Sequence, residues 1–252
     1  MKEIIVNKKF FSNYKYDHIQ SRESSRFYND NDYLKIIYPR LLKDDREKIV
    51  RQLHYFNHPD VVIPKFILKD KTGFIGYGMD FLKDYKSLSF HLDVDNLSFD
   101  ERKELMIRIS KIFDYFDEKK FAYCDIHSDN ILYKDGDIKL IDLDSGILKP
   151  YINGKVNYDL GIRIAKKSLV RYALSTMHDI SSYELMFLNK VKDRKYYQNF
   201  INSLPTNVRN LYEYSFSDIF YILYGITPAL EEITQGMSDD INEIVEKKLR
   251  KY

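Results

Sequence analysis

The sequence predicts an α+β fold in two parts: a small β-rich part with one helix, followed by a larger, mainly helical part. Up to about residue 82, short apolar runs separated by turn residues are typical of β-strands. Beyond residue 82, apolar residues recur at helical spacing along most of the chain. With 252 residues, the chain is long enough to bury a substantial core. The chain is therefore either one large domain or two lobes, with the sequence pattern changing near residue 82.

The composition is that of an ordinary globular protein, with 44% apolar and 31% charged residues. The 40 basic and 38 acidic residues leave a formal net charge of +2, so nothing favours binding to nucleic acid or to a membrane surface. Cys124 is the only cysteine, which excludes an intramolecular disulfide and fits a reducing compartment. The sequence has neither a bilayer-spanning apolar run nor a signal-like N-terminal region, so we expect a cytoplasmic protein.

The β-rich part is predicted to contain strands at 26–28, 33–38, 61–68 and 72–82. The second of these carries Lys35 among apolar residues. A lysine in an apolar strand either extends its amine to solvent from a sheet edge or serves a binding site. Between the second and third strands, apolar residues at helical spacing predict a helix over 43–56, whose only glutamate is Glu47.

The mainly helical part is predicted to begin with a long amphipathic helix. Ser98 and Glu101 form a capping-box pattern, and an apolar stripe follows at helical spacing. The stripe consists of Leu105, Met106, Ile109, Ile112, Phe113 and Phe116. Further helices are predicted over 158–177 and from residue 181 onward, where no catalytic constellation is found.

The residues that point to chemistry lie within 121–146. Asp125 and Asn130 are five residues apart in a loop, and two β-prone runs follow, separated by an Asp-Gly pair at 135–136. Such a pair predicts a tight hairpin. Because a hairpin returns the chain, Asn130 at its start and Asp142 at its end should lie side by side. A carboxylate and a carboxamide oxygen suit Mg²⁺, which keeps its other positions for water and phosphate oxygens.

Two other interpretations of the same polar residues have to be weighed. An aspartate near a turn is often only a cap or an Asx-turn residue. A calcium-binding loop beginning at Asp142 is excluded, because its sixth and twelfth positions are Ile147 and Asn153 instead of glycine and glutamate. The ordered spacing of three polar groups around two strands favours phosphoryl transfer.

The stretch resembles the catalytic core of the protein-kinase-like superfamily, in which His-Arg-Asp, four residues and Asn precede a strand pair and Asp-Phe-Gly. Here the corresponding residues are Tyr-Cys-Asp at 123–125, Asn130, and Asp-Leu-Asp at 142–144. The motif Asp-Ile-His-x-x-Asn-Ile-Leu at 125–132 is more similar to that of bacterial kinase-like and aminoglycoside-phosphotransferase-like proteins than to that of eukaryotic protein kinases. The resemblance implies a two-lobed protein-kinase-like fold, with a nucleotide-binding N-lobe over 1–82 and a C-lobe over 83–252 for the catalytic loop and acceptor.

The resemblance also implies a role for each polar residue. Lys35 would hold the α- and β-phosphates of ATP, and Glu47 is the candidate partner of its amine, unless it simply faces solvent. Asn130 and Asp142 would hold Mg²⁺. Asp125 would orient the acceptor hydroxyl and accept its proton.

Four further residues receive roles by the same resemblance. His127 stands where protein kinases carry a lysine that reaches the γ-phosphate, and it would either contact that phosphate or only orient the loop. Asp144 replaces the glycine of Asp-Phe-Gly and would either neighbour the metal or anchor its own turn. Asp80 and Leu82 match the hinge, where backbone groups hold adenine.

Three features of protein kinases are missing from the sequence. No glycine precedes Gly73, so Ser21, Ser24 and Ser25 stand where a glycine-rich loop would cover the phosphates. Cys124 replaces the arginine that pairs with a phosphorylated activation loop, and no Ala-Pro-Glu follows Gly146. These departures point to an atypical or small-molecule kinase.

We therefore expect an ATP-dependent phosphotransferase, a kinase that moves the γ-phosphoryl group to a hydroxyl of a small molecule or a protein, using ATP and Mg²⁺. The alternative is a pseudokinase that binds nucleotide or a protein partner without catalysis. A metal-dependent hydrolase built on Asp125, His127, Asp142 and Asp144 ranks last, because it leaves Lys35 and the two-part pattern unexplained.

Overall fold

The structure, a computed structural model, describes residues 1–7, 9–18, 23–42, 44–94, 97–151, 156–177 and 215–218. The chain divides into two compact units, one made of Met1–Asn96 and Phe116–Ile162 and the other of Leu97–Tyr115 and Arg163–Tyr252. The predicted domain boundary at residue 82 stays a prediction. Except for 215–218, the helical patterns predicted beyond residue 181 lie outside the described residues. Among the described helices, none is long and apolar enough to cross a membrane.

The first unit is built on a six-stranded sheet. Its strands are β1 (Lys2–Ile5), β2 (Lys15–Asp17), β3 (Ser24–Tyr28), β4 (Asp32–Ile37), β5 (Phe66–Asp70) and β6 (Gly73–Asp80). The strand order is β1-β5-β6-β4-β3-β2; β1 runs parallel to β5, and the other neighbours are antiparallel. Helix α1 (Asp44–Leu53) follows β4 in the chain.

Alternation along the inner strands gives the sheet two apolar faces. One face packs against α1 and contains Ile37, Ile67, Tyr77 and Met79, with Val50 contributed by the helix. The other face contains Leu34, Phe66 and Leu68 and packs against Val6, Phe10, Phe11 and Tyr14. Lys35 is two residues from Ile37, so its side chain points to the α1 face.

The strand predictions differ from the structure at the edges of the sheet. The sequence pattern misses β1 and β2, which are the two edge strands, because their mostly exposed side chains show no apolar alternation. The strand predicted over 61–68 begins only at Phe66. Pro64 lies just before it and lacks the N–H that a strand needs, while Val61 forms a single bridge with Leu140.

Besides short 3-10 helices, the described part of the first unit contains six further short elements. These are β7 (Lys86–Ser87), α2 (Leu88–Val94), β8 (Phe121–Ala122), β9 (Ile131–Lys134), β10 (Asp137–Leu140) and β11 (Ile147–Leu148). Strands β9 and β10 form the predicted hairpin, with Lys134 opposite Asp137. Asp135 and Gly136 both have positive φ, 49° and 83°, as a type I′ turn requires. The hairpin prediction is confirmed.

The second unit is described over 97–115, 163–177 and 215–218. It contains most of α3 (Phe99–Glu118) and the later part of α4 (Tyr158–Met177). The Ser98 N–H donates to the Glu101 carboxylate at 2.7 Å, and the Glu101 N–H donates to the Ser98 hydroxyl at 3.3 Å, which confirms the capping box. Asp114 of α3 accepts the N–H of Phe216 at 2.7 Å. All six residues of the predicted apolar stripe are at most 6% exposed.

Candidate active site

Lys35 lies in an interior strand of the sheet and is only 3% exposed. Its amine therefore does not reach solvent from a sheet edge. Arg26 of β3 and Tyr77 of β6 are its directly paired neighbours on the adjacent strands. Paired residues point to the same face of a sheet, so these three polar side chains form one row on the α1 face. The close approach of β4 and β6 requires Gly76, because a Cβ there would collide with the Lys35 carbonyl oxygen.

Asp142 follows the hairpin at the point where the chain turns. The Ile141 N–H donates to the Asn130 carbonyl oxygen at 3.0 Å, so the pairing continues up to the residue before Asp142. Asp142 has a φ of 63° and a ψ of 42°, in the left-handed region that side chains other than glycine rarely adopt. Residues held in this region cluster at functional sites. Asn130 and Asp142 thus lie at the same end of the hairpin.

The Lys35 amine contacts two carboxylates. It forms an ion pair with Asp142 and lies 2.7 Å from Oδ1 of Asp144. The Tyr77 hydroxyl donates to the same Asp144 oxygen at 2.9 Å. Oδ2 of Asp144 lies 2.8 Å from Nε and 2.6 Å from Nη2 of Arg46, which belongs to α1. Asp144 is only 1% exposed, so this cluster is withdrawn from water.

The two carboxylates have different electrostatic surroundings. Burial alone would raise the pKa of Asp144, but the attraction of Lys35 and Arg46 lowers that pKa well below its usual value. Burial raises the pKa of Asp142, because Lys35 offsets the cost of its charge only in part and Asp144 adds repulsion. Burial also opposes the charge of Lys35, yet the two carboxylates keep its pKa above the ordinary value. Asp144 is therefore the firmly held anion of the cluster, whereas its surroundings compensate the charge of Asp142 only in part.

The expected pair of Lys35 with Glu47 does not form, so that sequence-based prediction is corrected. Glu47 lies 2.7 Å from Nη2 of Arg51 and 3.4 Å from the amine of Lys69. Consecutive helical residues differ by about 100° around the axis, so Arg46 and Glu47 face different directions. Helix α1 presents Arg46 to Asp144, and Asp144 is the buried carboxylate that partners Lys35.

Asp125 and His127 lie in the loop after β8, where Asp125 is exposed and His127 is half-buried. The Asp125 side chain is 62% exposed, and ring nitrogens of His127 lie 3.9 Å from the carboxylates of Asp125 and Asp129. The Asn130 side-chain amide donates to the Asp125 carbonyl oxygen at 3.0 Å and so closes the loop. The buried Tyr123 donates its hydroxyl to the Ile141 carbonyl at 3.3 Å, which links the start of the loop to the residue before Asp142.

The residues expected to hold adenine lie at the end of β6. Asp80 is the last residue of the strand, and its carboxylate accepts from the Lys65 amine at 2.7 Å. The Leu82 carbonyl oxygen accepts from the Tyr85 N–H at 3.4 Å. Their contacts to adenine would be made by backbone groups and stay a prediction. Of the serines expected near the phosphates, Ser24 and Ser25 lie in β3, and Ser21 lies outside the described residues.

Three polar residues of the cluster were not predicted from the sequence: Arg26, Arg46 and Tyr77. Tyr77 carried the one available signal, a polar hydroxyl within an otherwise apolar strand, whereas Arg26 follows two serines and Arg46 lies in the charged run 44–48. That signal shows its meaning only once strand register is known, because register places Arg26 and Tyr77 beside Lys35. The position of Arg46 in the cluster could be predicted only if the rotation of α1 about its axis were known.

The donor groups of the cluster suit magnesium and phosphate. Asp142 and Asn130 carry the hard oxygen atoms that Mg²⁺ prefers, and Lys35 and Arg26 are cations next to them. In the described part of the chain, no three His, Cys, Asp or Glu side chains are arranged to hold a metal ion among themselves.

Comparison with solved structures identifies a protein kinase as a relative in fold. The structure resembles Rad53 1–466 in complex with AMP-PNP, with a TM-score of 0.51 and 16% sequence identity. The match covers 68% of this chain and 49% of the Rad53 chain, so it spans about half of that protein's length. No protein-family model matches the sequence, and no curated protein matches it. The chain has a kinase-like α+β fold, and at this identity the likeness shows the fold alone.

Proposed function

We propose that the chain binds ATP with Mg²⁺ and transfers the γ-phosphoryl group to a hydroxyl. The observation that carries this proposal is the ion pair between Lys35 and Asp142, which are 107 residues apart in the sequence. In a kinase-like fold, a lysine and an aspartate that meet in this way are the groups that hold phosphates and metal. The complex of Rad53 with AMP-PNP agrees with nucleotide binding.

In this proposal, Lys35 anchors phosphate oxygens from a fixed position. Asp144 holds its amine, and Arg46 and Tyr77 hold Asp144. Lys35 therefore keeps one carboxylate partner when Asp142 turns to the metal. Asn130 and Asp142 provide the protein oxygens for Mg²⁺. Bound Mg²⁺ would neutralise phosphate charge and hold the phosphates in a reactive orientation.

Asp125 is proposed to orient the acceptor hydroxyl and to accept its proton. Its exposed carboxylate is free of the buried cluster, so an acceptor can reach it without breaking the Lys35 contacts. His127 would either contact the γ-phosphate or hold the loop, since it lies equally near Asp125 and Asp129. The acceptor is a small molecule or a protein, bound by the proposed C-lobe over 83–252.

A pseudokinase is the second candidate function. The observation that favours it is the altered motif Tyr-Cys-Asp at 123–125, which departs from the His-Arg-Asp of protein kinases. The lack of any glycine before Gly73 points the same way. In this alternative, the chain binds nucleotide or a protein partner and performs no transfer.

Phosphoryl transfer distinguishes the two candidates. Labelled ATP and Mg²⁺ are incubated with the protein and a panel of small alcohols and hydroxyl-containing peptides, comparing wild type with Asp125→Asn. The matched control is Asp129→Asn, because Asp129 lies in the same loop, is 71% exposed, and is also 3.9 Å from His127. A kinase predicts that Asp125→Asn lowers turnover about 100-fold or more, while Asp129→Asn keeps the wild-type rate.

The pseudokinase predicts a different result. ATP hydrolysis, autophosphorylation and transfer by wild type would all stay at the level of Asp125→Asn, whether or not Mg·ATP binds. Failure of wild type to bind Mg·ATP would contradict the proposed kinase and leave a pseudokinase that binds a protein partner.

A further inference from the structure

A second cation stands beside Lys35 in the sheet. Arg26 is its direct partner on β3, so the two side chains leave the same face at neighbouring positions. Nη2 of Arg26 lies 3.6 Å from Oδ2 of Asp142, while the Lys35 amine contacts Oδ1 of the same carboxylate. Asp142 is thus held between two cations, one from each of two adjacent strands.

Two neighbouring residues, Tyr33 and Asp17, hold the Arg26 side chain in place. Arg26 is hydrogen-bonded to Tyr33, and the Tyr33 hydroxyl donates to Asp17 at 2.7 Å. Asp17 is the direct partner of Arg26 on β2, so its negative charge lies next to the arginine stem. The side chain is nevertheless 21% exposed, which leaves part of it accessible to a ligand.

The two cations are not equally available to a ligand. Lys35 is 3% exposed and keeps Asp144 at 2.7 Å when Asp142 moves to a metal. Arg26 faces Asp142 at 3.6 Å, longer than a hydrogen bond, so this contact is the looser of the two and is easily exchanged. If a metal binds Asp142, the Arg26 guanidinium loses this carboxylate as a partner and still faces the site.

We propose that Arg26 binds the polyphosphate of the nucleotide directly, as a second cation beside Lys35. This inference rests on the proposed nucleotide binding and adds a ligand for the phosphates to it. A planar guanidinium donates two parallel hydrogen bonds to phosphate oxygens. Since no glycine precedes Gly73, the segment before β4 is poor in the flexible backbone that wraps phosphates, and an arginine side chain from β3 supplies the donors instead.

Titrations of Mg·ATP and of adenosine separate a phosphate contact from a structural role. Arg26→Met is expected to weaken Mg·ATP binding about tenfold to a hundredfold, the scale of a lost charge-assisted hydrogen bond, and to leave adenosine binding unchanged. Arg51→Met is the matched control, because Arg51 also pairs with carboxylates, Glu47 and Glu3, but Glu3 belongs to the edge strand β1, which is not a neighbour of β3 or β4. It should bind both ligands as wild type does.

Chemical modification tests the same inference in the wild-type protein, whether or not Arg26→Met folds. Phenylglyoxal labels accessible guanidinium groups, and mass spectrometry reads each site. Mg·ATP should protect Arg26 from labelling, adenosine should not, and Arg51 should be labelled equally in both. Equal labelling of Arg26 with and without Mg·ATP, or an equal loss of ATP and adenosine affinity in Arg26→Met, would overturn the inference.

The outcomes also separate this inference from the function on which it rests. If wild type binds Mg·ATP and Arg26→Met binds it equally well, only the role of Arg26 is wrong. If wild type binds no nucleotide, the proposed function fails and the role of Arg26 fails with it.

Discussion

Replacing Arg46 with methionine should destabilise the first unit strongly, because it removes one of the two cations that hold the buried Asp144. Removing one partner of a buried ion pair costs about 3–5 kcal/mol, since the remaining charge is left without compensation. Lys35 and Tyr77 still contact Asp144 in this variant, so we expect the lower end, about 3 kcal/mol. For a chain of this size, that corresponds to a fall of about 6–12 °C in Tm.

Thermal unfolding followed by circular dichroism measures this loss, with Arg51→Met as the control. Arg51 lies five residues further along α1 and pairs with Glu47 and Glu3, but its side chain is 32% exposed. Exposed ion pairs contribute about 0–1 kcal/mol, so the Tm of Arg51→Met should fall by only a few degrees. Equal Tm values for the two variants would refute the conclusion that Arg46 holds Asp144 in a buried cluster.

Two other substitutions and one chemical reaction test further contacts of the first unit. Tyr77→Phe should cost about 2 kcal/mol, because Asp144 loses a hydrogen bond in the interior; unchanged denaturant unfolding would contradict that bond. Gly76→Ala should cost about 3 kcal/mol, because its Cβ meets the Lys35 carbonyl and no side chain can move aside; a wild-type Tm would show that β4 and β6 are further apart. Burial, assisted by Asp125, raises the pKa of Cys124 to about 12, so the thiol is almost entirely protonated at pH 8. It should react with iodoacetamide far more slowly in the native protein than in denaturant, and equal rates would show that it is exposed.

The local features of the fold could be predicted from the sequence because short-range physics determines them. The Asp-Gly pair at 135–136 fixes the hairpin, and the Ser98–Glu101 capping box fixes the start of α3. Each depends only on residues close together in the chain. The spacing of Asn130 and Asp142 around that hairpin then places both at one end of it.

The partners of Lys35 could not be predicted in the same way, because they depend on register and on helix rotation. A shift of one residue along α1 exchanges Arg46 for Glu47 at the cluster, and the hydrophobic pattern of that helix does not distinguish between them. The resemblance to protein kinases favoured Glu47, whereas the structure places Arg46 and Asp144 there. A carboxylate at position 144, where the family pattern has glycine, was the clue that the ion pairs are rearranged.

The Mg²⁺ dependence of ATP binding tests the central claim most directly. Isothermal titration is performed with and without Mg²⁺ on wild type and Asp142→Asn. The control is Asp137→Asn, because Asp137 is the first residue of β10, the strand that precedes Asp142, and pairs with Lys139 at 2.8 Å. We predict that Mg²⁺ strengthens ATP binding by wild type and by Asp137→Asn, and that this gain disappears in Asp142→Asn. An equal gain in all three proteins, or no binding by wild type, would contradict the claim that Lys35 and Asp142 form a site for a nucleotide and its metal.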